Sequence, residues 1–231
     1  MVSKDKDYTG DVTPGGPPDV RRLGCLTVTK VAVDPEMSNN CYLLHCSNTD
    51  EVVLIDAAAE PERLLELIGD RTLTSVVTTH QHWDHHRGLA AVTSAHPGAV
   101  VVAGGPDADA VEEQTGVTVG RRVGEGDTVA VGTCELQVIP IAGHTPGSIA
   151  LLVEDTSVSP VPHLFTGDSL FPGGVGATFG DADAFAQLVG EVEAKLFARL
   201  PDETWFYPGH GGDGVLGRER PHLEEWRARG W

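Results

Sequence analysis

Short apolar runs bounded by Gly, Pro, Asn and Asp recur along most of the chain. LTVTKVAV from Leu26, CYLLHC from Cys41, EVVLID from Glu51, LTSVVTT from Leu73, AVVVA from Ala99, CELQVIPI from Cys134, SIALLVE from Ser148 and HLFTGD from His163 have strand length and strand composition. Two segments instead follow a helical period. Pro61 can open the first, which puts Leu64, Leu65 and Ile68 on one face and ends near Gly69. The second spans about Asp183 to Leu200, with Phe185, Leu188, Val189, Val192, Leu196 and Leu200 at 3.6-residue spacing. Weaker helices are expected after Gly88 and after Pro106. Strands followed by helices occur in both halves, a pattern that suits two sheets packed together with helices outside. Periodicity alone does not separate this from other α/β arrangements.

Residues 1–20 break the pattern. They are polar and rich in Pro and Gly, and are expected to form a flexible or loosely docked arm. Residues 21–231 are expected to form one domain, since no linker interrupts them. The formal charge of the 231 residues is −18, which disfavours nucleic acid and anionic membranes as partners and favours a small-molecule substrate. No apolar run has bilayer-spanning length, and the lysines near the N-terminus are not followed by a hydrophobic stretch, so the cytoplasm is the expected location. The oligomeric state is not encoded in these patterns. Cys25, Cys41, Cys46 and Cys134 form no CxxC pair and are expected to be reduced and mostly buried; a Cys41–Cys46 bridge is left open.

The chemistry concentrates at strand ends. Thr79-His80-Gln81-His82-Trp83-Asp84-His85-His86 follows VVTT and crowds four imidazoles and a carboxylate into one loop. Neutral imidazoles there offer lone pairs to a metal, whereas protonated ones would repel each other. His144 sits in AGHTPGS, where Gly and Pro-Gly make a tight turn that presents the ring. Asp168 ends the strand HLFTGD, and His210 lies in YPGHG after another β-rich run. Gly173-Gly174-Val175-Gly176 lacks the lysine of a phosphate loop and reads as a plain turn.

Together, THQHWDHH, AGHTPGS, FTGDSLF and YPGHG resemble the successive metal motifs of the metallo-β-lactamase superfamily, over about Leu26 to His210. The resemblance implies an α/β (α+β) fold, the four-layer αββα sandwich, with the site at one edge between the sheets. It implies that His80, His82 and His144 hold one metal, that Asp84, His85 and His210 hold a second, and that Asp168 bridges them. Asp84 and Asp168 are then the carboxylates of the catalytic centre. Asp56, at the end of VVLID, would orient a ligand histidine, and His86 would be orienting or structural. Mixed His and Asp ligands suit two divalent ions, zinc foremost, with iron or manganese also suitable. Two such ions about 3.5–4 Å apart can share a water and lower its pKa towards ~7.

The bridging Asp168 argues against a true β-lactamase, and the motif set resembles the glyoxalase II branch, which cleaves thioesters such as S-lactoylglutathione. After His210 the chain reads GGDGVLGRERP and has about twenty residues left. It therefore resembles the short bacterial forms that lack the glutathione-gripping helical domain. Arg218, in a tail cluster with Arg220, Arg227 and Arg229, is a candidate for holding a substrate carboxylate. The alternatives are a persulfide dioxygenase using one iron on His80, His144 and Asp168, a lactone or other ester hydrolase, and a binding protein on the same fold.

Overall fold

The computed structural model describes residues 8–230 of the chain. Seven strands form the first sheet, in chain order: β1 (Asp19–Leu23), β2 (Leu26–Val33), β3 (Asn39–Cys46), β4 (Glu51–Ile55), β5 (Thr72–Thr78), β6 (Val100–Gly104) and β7 (Arg121–Val123). Pairing is antiparallel from β1 to β4 and parallel from β4 to β7. Parallel neighbours need crossovers. Helices α1 (Pro61–Ile68), α2 (Leu89–Ala95) and α3 (Ala108–Thr115) lie in them.

The second sheet contains β8 (Thr128–Val131), β9 (Cys134–Pro140), β10 (Ile149–Val153) and β11 (His163–Gly167). A small hairpin of β12 (Leu170–Phe171) and β13 (Gly174–Val175) follows, then helix α4 (Ala182–Val192). The sheet is completed by β14 (Trp205–Pro208) and β15 (Gly214–Val215), before α5 (Leu216–Glu219) and α6 (Leu223–Arg229). Its order is β15-β14-β11-β10-β9-β8.

Alternation along the strands explains the layers. In β3, Tyr42, Leu44 and Cys46 point between the sheets, while Cys41 and Leu43 point to α1 and α2. In β10, Ile149, Leu151 and Val153 face the first sheet, and Ala150 and Leu152 face α4. Strands buried on both faces read as continuous apolar runs, which is why these were visible in the sequence. The result is the expected αββα sandwich.

Several expectations change. Leu65 is only half buried, and Leu64 and Ile68 carry the contact of α1. The long helix is α up to Val192 and then widens into a π turn over Glu193–Phe197. A Cys41–Cys46 bridge is excluded, because five residues along a strand reverse the face and put the two thiols in different cores. All four cysteines are free. Of the expected arm, residues 1–7 lie outside the described residues, and from Tyr8 onward it is docked rather than loose. Tyr8 Oη donates to Asp213 Oδ2 at 2.7 Å, and the Gly10 carbonyl accepts from Lys30 Nζ at 2.6 Å. Lys30 is fully buried and also binds Asp213 at 2.6 Å and the Gly211 carbonyl at 2.8 Å, next to His210. No helix among the described residues is long and apolar enough to cross a membrane.

Candidate metal centre

All seven expected ligands converge at one edge of the sandwich, beyond the C-terminal ends of β5, β9, β11 and β14. The loop after β5 carries His80 and His82, then winds a short 3-10 turn over Trp83–His85 that presents Asp84 and His85. His144 comes from the loop after β9, Asp168 from the end of β11 and His210 from the end of β14.

The donor atoms fall into two groups, His80/His82/His144 and Asp84/His85/His210, with Asp168 facing both. In the first, His82 Nδ1 lies 2.9 Å and His80 Nε2 3.3 Å from His144 Nε2, which is 3.7 Å from Asp168 Oδ2. In the second, His210 Nε2 is 3.4 Å from Asp84 Oδ2 and 3.5 Å from Asp168 Oδ2, and His85 Nε2 is 3.4 Å from Asp168 Oδ1 and 3.6 Å from Asp84 Oδ2. Ligands about 2.1 Å from a tetrahedral ion lie about 3.4 Å from one another. The side chains therefore already stand at coordination spacing. His85 Nε2 and Asp168 Oδ1 are buried yet make no hydrogen bond among the described residues. Burying such atoms unpaired is costly, and a cation between them would satisfy both.

The outer ring nitrogens fix the rings. His85 Nδ1 faces Asp56 Oδ2 at 2.8 Å, the contact through which Asp56 would orient this candidate ligand. The same carboxylate accepts from Thr79 N and Thr79 Oγ1, both at 2.8 Å, and Thr79 Oγ1 lies 3.1 Å from His80 Nδ1. Asp56 has φ 57, a left-handed conformation that Asp tolerates better than most residues. His144 Nδ1 donates to the Ala177 carbonyl at 2.7 Å and His210 Nδ1 to the Met37 carbonyl at 2.9 Å. His86 turns away from the centre and donates to the Gln81 carbonyl at 3.1 Å.

Burial, reinforced by neighbouring imidazoles, pushes His80, His82 and His144 towards the neutral, metal-competent form. Burial also opposes charge on His210, but hydrogen bonds to Asp168 and Asp84 outweigh it and raise that ring to about 9. Against their own burial, Asp84 is held ionised chiefly by His210 and Asp168 by His85. The carboxylates thus keep the negative charge a divalent ion requires.

Four supporting features were missed by the sequence reading. Asp107, fully buried, accepts from Gln81 N at 2.9 Å, Thr145 Oγ1 at 2.6 Å and Gly147 N at 2.7 Å, tying the His80/His82 loop to the His144 loop. Its position after Gly-Pro reads as an ordinary helix start, which hid it. Asn39 Nδ2 donates to Asp84 Oδ2 at 2.9 Å. Gly209 is required by close approach, since a Cβ there would lie 2.1 Å from Asp168 Oδ1 and 2.7 Å from His85 Cε1. Gly176 is likewise no plain turn residue. A Cβ there would meet the Asp168 carbonyl at 1.9 Å and His144 Nδ1 at 3.0 Å, and the preceding Gly174 and Val175 belong to β13.

Above the ligands lies a cleft of 440 Å³ whose apolar walls include Met37, Trp83, Phe171 and Phe179. Phe179 is 80 % exposed, has φ 54 and sits edge-on to His82 at 5.8 Å. A bulky residue in that backbone region is strained, as residues at binding sites often are. Arg218 does not reach this cleft. It is exposed on α5 and lines a separate depression with Gly173, His222 and Arg229. Arg220 is committed to Asp202 and the Phe197 and Leu200 carbonyls, and Arg227 to Glu193. Arg218 therefore stands outside the cleft that the candidate ligands line.

Comparison with known proteins agrees with the geometry. The model of the metallo-beta-lactamase superfamily matches residues 34–210. A hydroxyacylglutathione hydrolase-like protein of Homo sapiens is 32% identical over 185 residues, 78% of this chain but 59% of that protein, so the chain spans less than two thirds of that relative. The mitochondrial persulfide dioxygenase ETHE1 of Mus musculus is 29% identical over 196 residues, 83% of this chain and 71% of that protein. The crystal structure of TTHA1623 in a di-iron-bound form superposes with TM-score 0.67 at 29% identity, covering 83% of this chain and 96% of that one. With the αββα layers, the order of the motifs and the convergence of their side chains, this chain belongs to the metallo-β-lactamase superfamily.

Proposed function

We propose that the chain is a metal-dependent hydrolase that cleaves small-molecule thioesters in the cytoplasm with two divalent ions, zinc foremost. The observation that carries this reading is the pair of built ligand groups with Asp168 between them. His80, His82 and His144 would hold one ion, Asp84, His85 and His210 the other, and Asp168 both. When bound, such a pair supplies a Lewis acid for a carbonyl oxygen and a water acidic enough to lose its proton near neutral pH. The chain's own contribution is positional. Asp56 and Thr79 lock His85 and His80, Asn39 locks Asp84, and the Ala177 and Met37 carbonyls aim His144 and His210.

A thioester suits this cleft. Its leaving thiolate has a conjugate acid near ~8.5 and needs little help from a general acid. Among the described residues, the cleft walls carry no titratable side chain apart from the proposed ligands. Met37, Trp83, Phe171 and Phe179 line the cleft, so the acyl group or thiol carrier would be held by apolar and aromatic contact. That favours an apolar thioester over one recognised through its carboxylates.

A second reading has support of its own. His144 Nε2 lies 3.3 Å from His80 Nε2 and 3.7 Å from Asp168 Oδ2, the two side chains it would join in a one-iron site, and the chain covers more of the mouse persulfide dioxygenase than of the human hydrolase-like protein. The test is a panel of acyl thioesters on different thiols, run beside oxygen uptake with a persulfide. Thiol release without oxygen uptake is expected. Oxygen uptake with persulfide and no cleavage across the panel would replace the hydrolase by the dioxygenase.

A further inference from the structure

Three cysteines far apart in sequence meet at the end of the sandwich opposite the metal centre. Cys25 lies in the turn before β2, Cys46 ends β3 and Cys134 opens β9. Their sulfurs all lie within 4.8 Å of one another, and Cys25 Sγ is 2.9 Å from Cys134 Sγ. β3 separates this cluster from the metal ligands, since Asn39 at its start holds Asp84 and Cys46 is at its end. Seven residues of strand at ~3.3 Å each put about 23 Å between the two sites.

We propose that Cys25 and Cys134 form a redox modification site, closed by a hydroperoxide into a disulfide that links the two sheets. Cys25 belongs to the first sheet's β1–β2 turn and Cys134 to the second sheet, so the bond would span the sandwich. Accessibility sets the order of events, because Cys25 is half-buried whereas Cys134 is buried. The Cys25 sulfur attacks the peroxide, an S–O bond forms, the O–O bond breaks and one water leaves. Cys134 sulfur then displaces the hydroxyl from the Cys25 sulfenic acid, and the hydroxyl departs as a second water with the Cys134 proton. Two thiols lose two electrons and two protons, and hydrogen peroxide becomes two waters.

The same thiols could in principle hold a soft metal ion, but their surroundings argue against it. Cys46 and Cys134 sit in the apolar core between the sheets, against residues such as Leu26, Leu44 and Leu136. Three thiolates around a monovalent or divalent ion would leave a net negative charge there, which is costly to bury without a counter-charge. Burial and the neighbouring Cys25 push the Cys134 thiol up to about 12, so Cys134 rests protonated, whereas hydrogen bonds from Thr133 and Asn48 outweigh burial at Cys46 and pull it down to about 6. A disulfide is neutral and apolar and suits the site.

The test uses the purified full chain, reduced and then treated with hydrogen peroxide, with thiols alkylated in denaturant and peptides mapped by mass spectrometry. Free thiols should fall from four to two, with a Cys25–Cys134 linked peptide that thiol reductant removes. The oxidised form should melt at a higher temperature, since a bond closing so long a loop restricts the unfolded chain, and its activity at the metal centre should stay within about twofold. Cys25→Ser, at the half-buried position, should abolish the linked peptide, while Cys41→Ser should leave it. Failure to form the link, a link through Cys46 alone, or direct over-oxidation of Cys25 would overturn the proposal. So would an equivalent of zinc or monovalent copper that the reduced wild type retains and Cys25→Ser loses.

Discussion

Asp107→Asn tests how the metal centre is held open. The carboxylate accepts three hydrogen bonds, two through Oδ2 from Gln81 N and Thr145 Oγ1 and one through Oδ1 from Gly147 N. An amide can keep its oxygen on one side only. If it stays towards Gly147, the new NH2 faces the Gln81 N–H, and no rotation of that backbone donor relieves the clash. Thr145 can turn its hydroxyl and accept instead. The loss is one buried N–H left unpaired, about 1–3 kcal/mol, plus the extra strength of bonds to a charged acceptor. About 3 kcal/mol in total is expected, or roughly 6–12 °C in Tm for a domain of this size. Because the bonds join the His80/His82 loop to the His144 loop, the first metal group should weaken selectively. About 10- to 100-fold in affinity is expected, the usual effect of removing a partner that orients ligands. Asp84 is held directly by Asn39, His85 by Asp56 and His210 by the Met37 carbonyl, so this group should keep its ion. The assay is competition with a chromophoric chelator, beside thermal denaturation. Two ions bound at wild-type affinity, or both lost together, would refute the reasoning.

Other perturbations address other parts of the site. Gly209→Ala puts a methyl against Asp168 and His85, so elemental analysis should find less than half the wild-type metal; full occupancy would show that the loop yields. Phe179→Ala should raise KM several-fold with little change in kcat, the mark of lost uniform binding. With its side chain 80 % exposed, this substitution should shift stability by less than about 0.5 kcal/mol; a fall in kcat at constant KM would remove Phe179 from the substrate wall. His163 is fully buried between Ser159 and Tyr207, and burial with Arg21 pushes it down to about 3. The unfolded chain takes up a proton near ~6.5 that the folded chain refuses, so this group costs about 1.4 kcal/mol of stability per pH unit on acidification below that point. His163→Gln should therefore flatten the pH dependence of urea unfolding between pH 6.5 and 4.5, and parallel slopes would exclude the linkage.

What the sequence disclosed depended on whether the signal was local. β10 and β11 were legible because both faces are buried, which leaves an unbroken apolar run. β7 was not, since two arginines fill most of its three residues, and β1 was lost among polar residues that read as an arm. The candidate ligands stood out because they are concentrated in short motifs at strand ends. Asp107, Gly176 and Gly209 did not, because their roles come from loops that meet across the fold, and neither Gly-Pro-Asp nor a glycine in a turn records what it touches. The same holds for Cys25 and Cys134, whose meeting depends on how one sheet lies on the other. Arg218 was suggested by charge clustering alone, and the packing of α5 and α6 turns that cluster away from the cleft.

The central claim is that two ions act together at Asp168. Chelator-stripped protein should be titrated with zinc while thiol release from a cleaved thioester is followed. Activity should keep rising to the second equivalent per chain, and His85→Ala should bind one equivalent and stay nearly inactive. Wild-type activity that reaches its plateau at one equivalent would contradict the account.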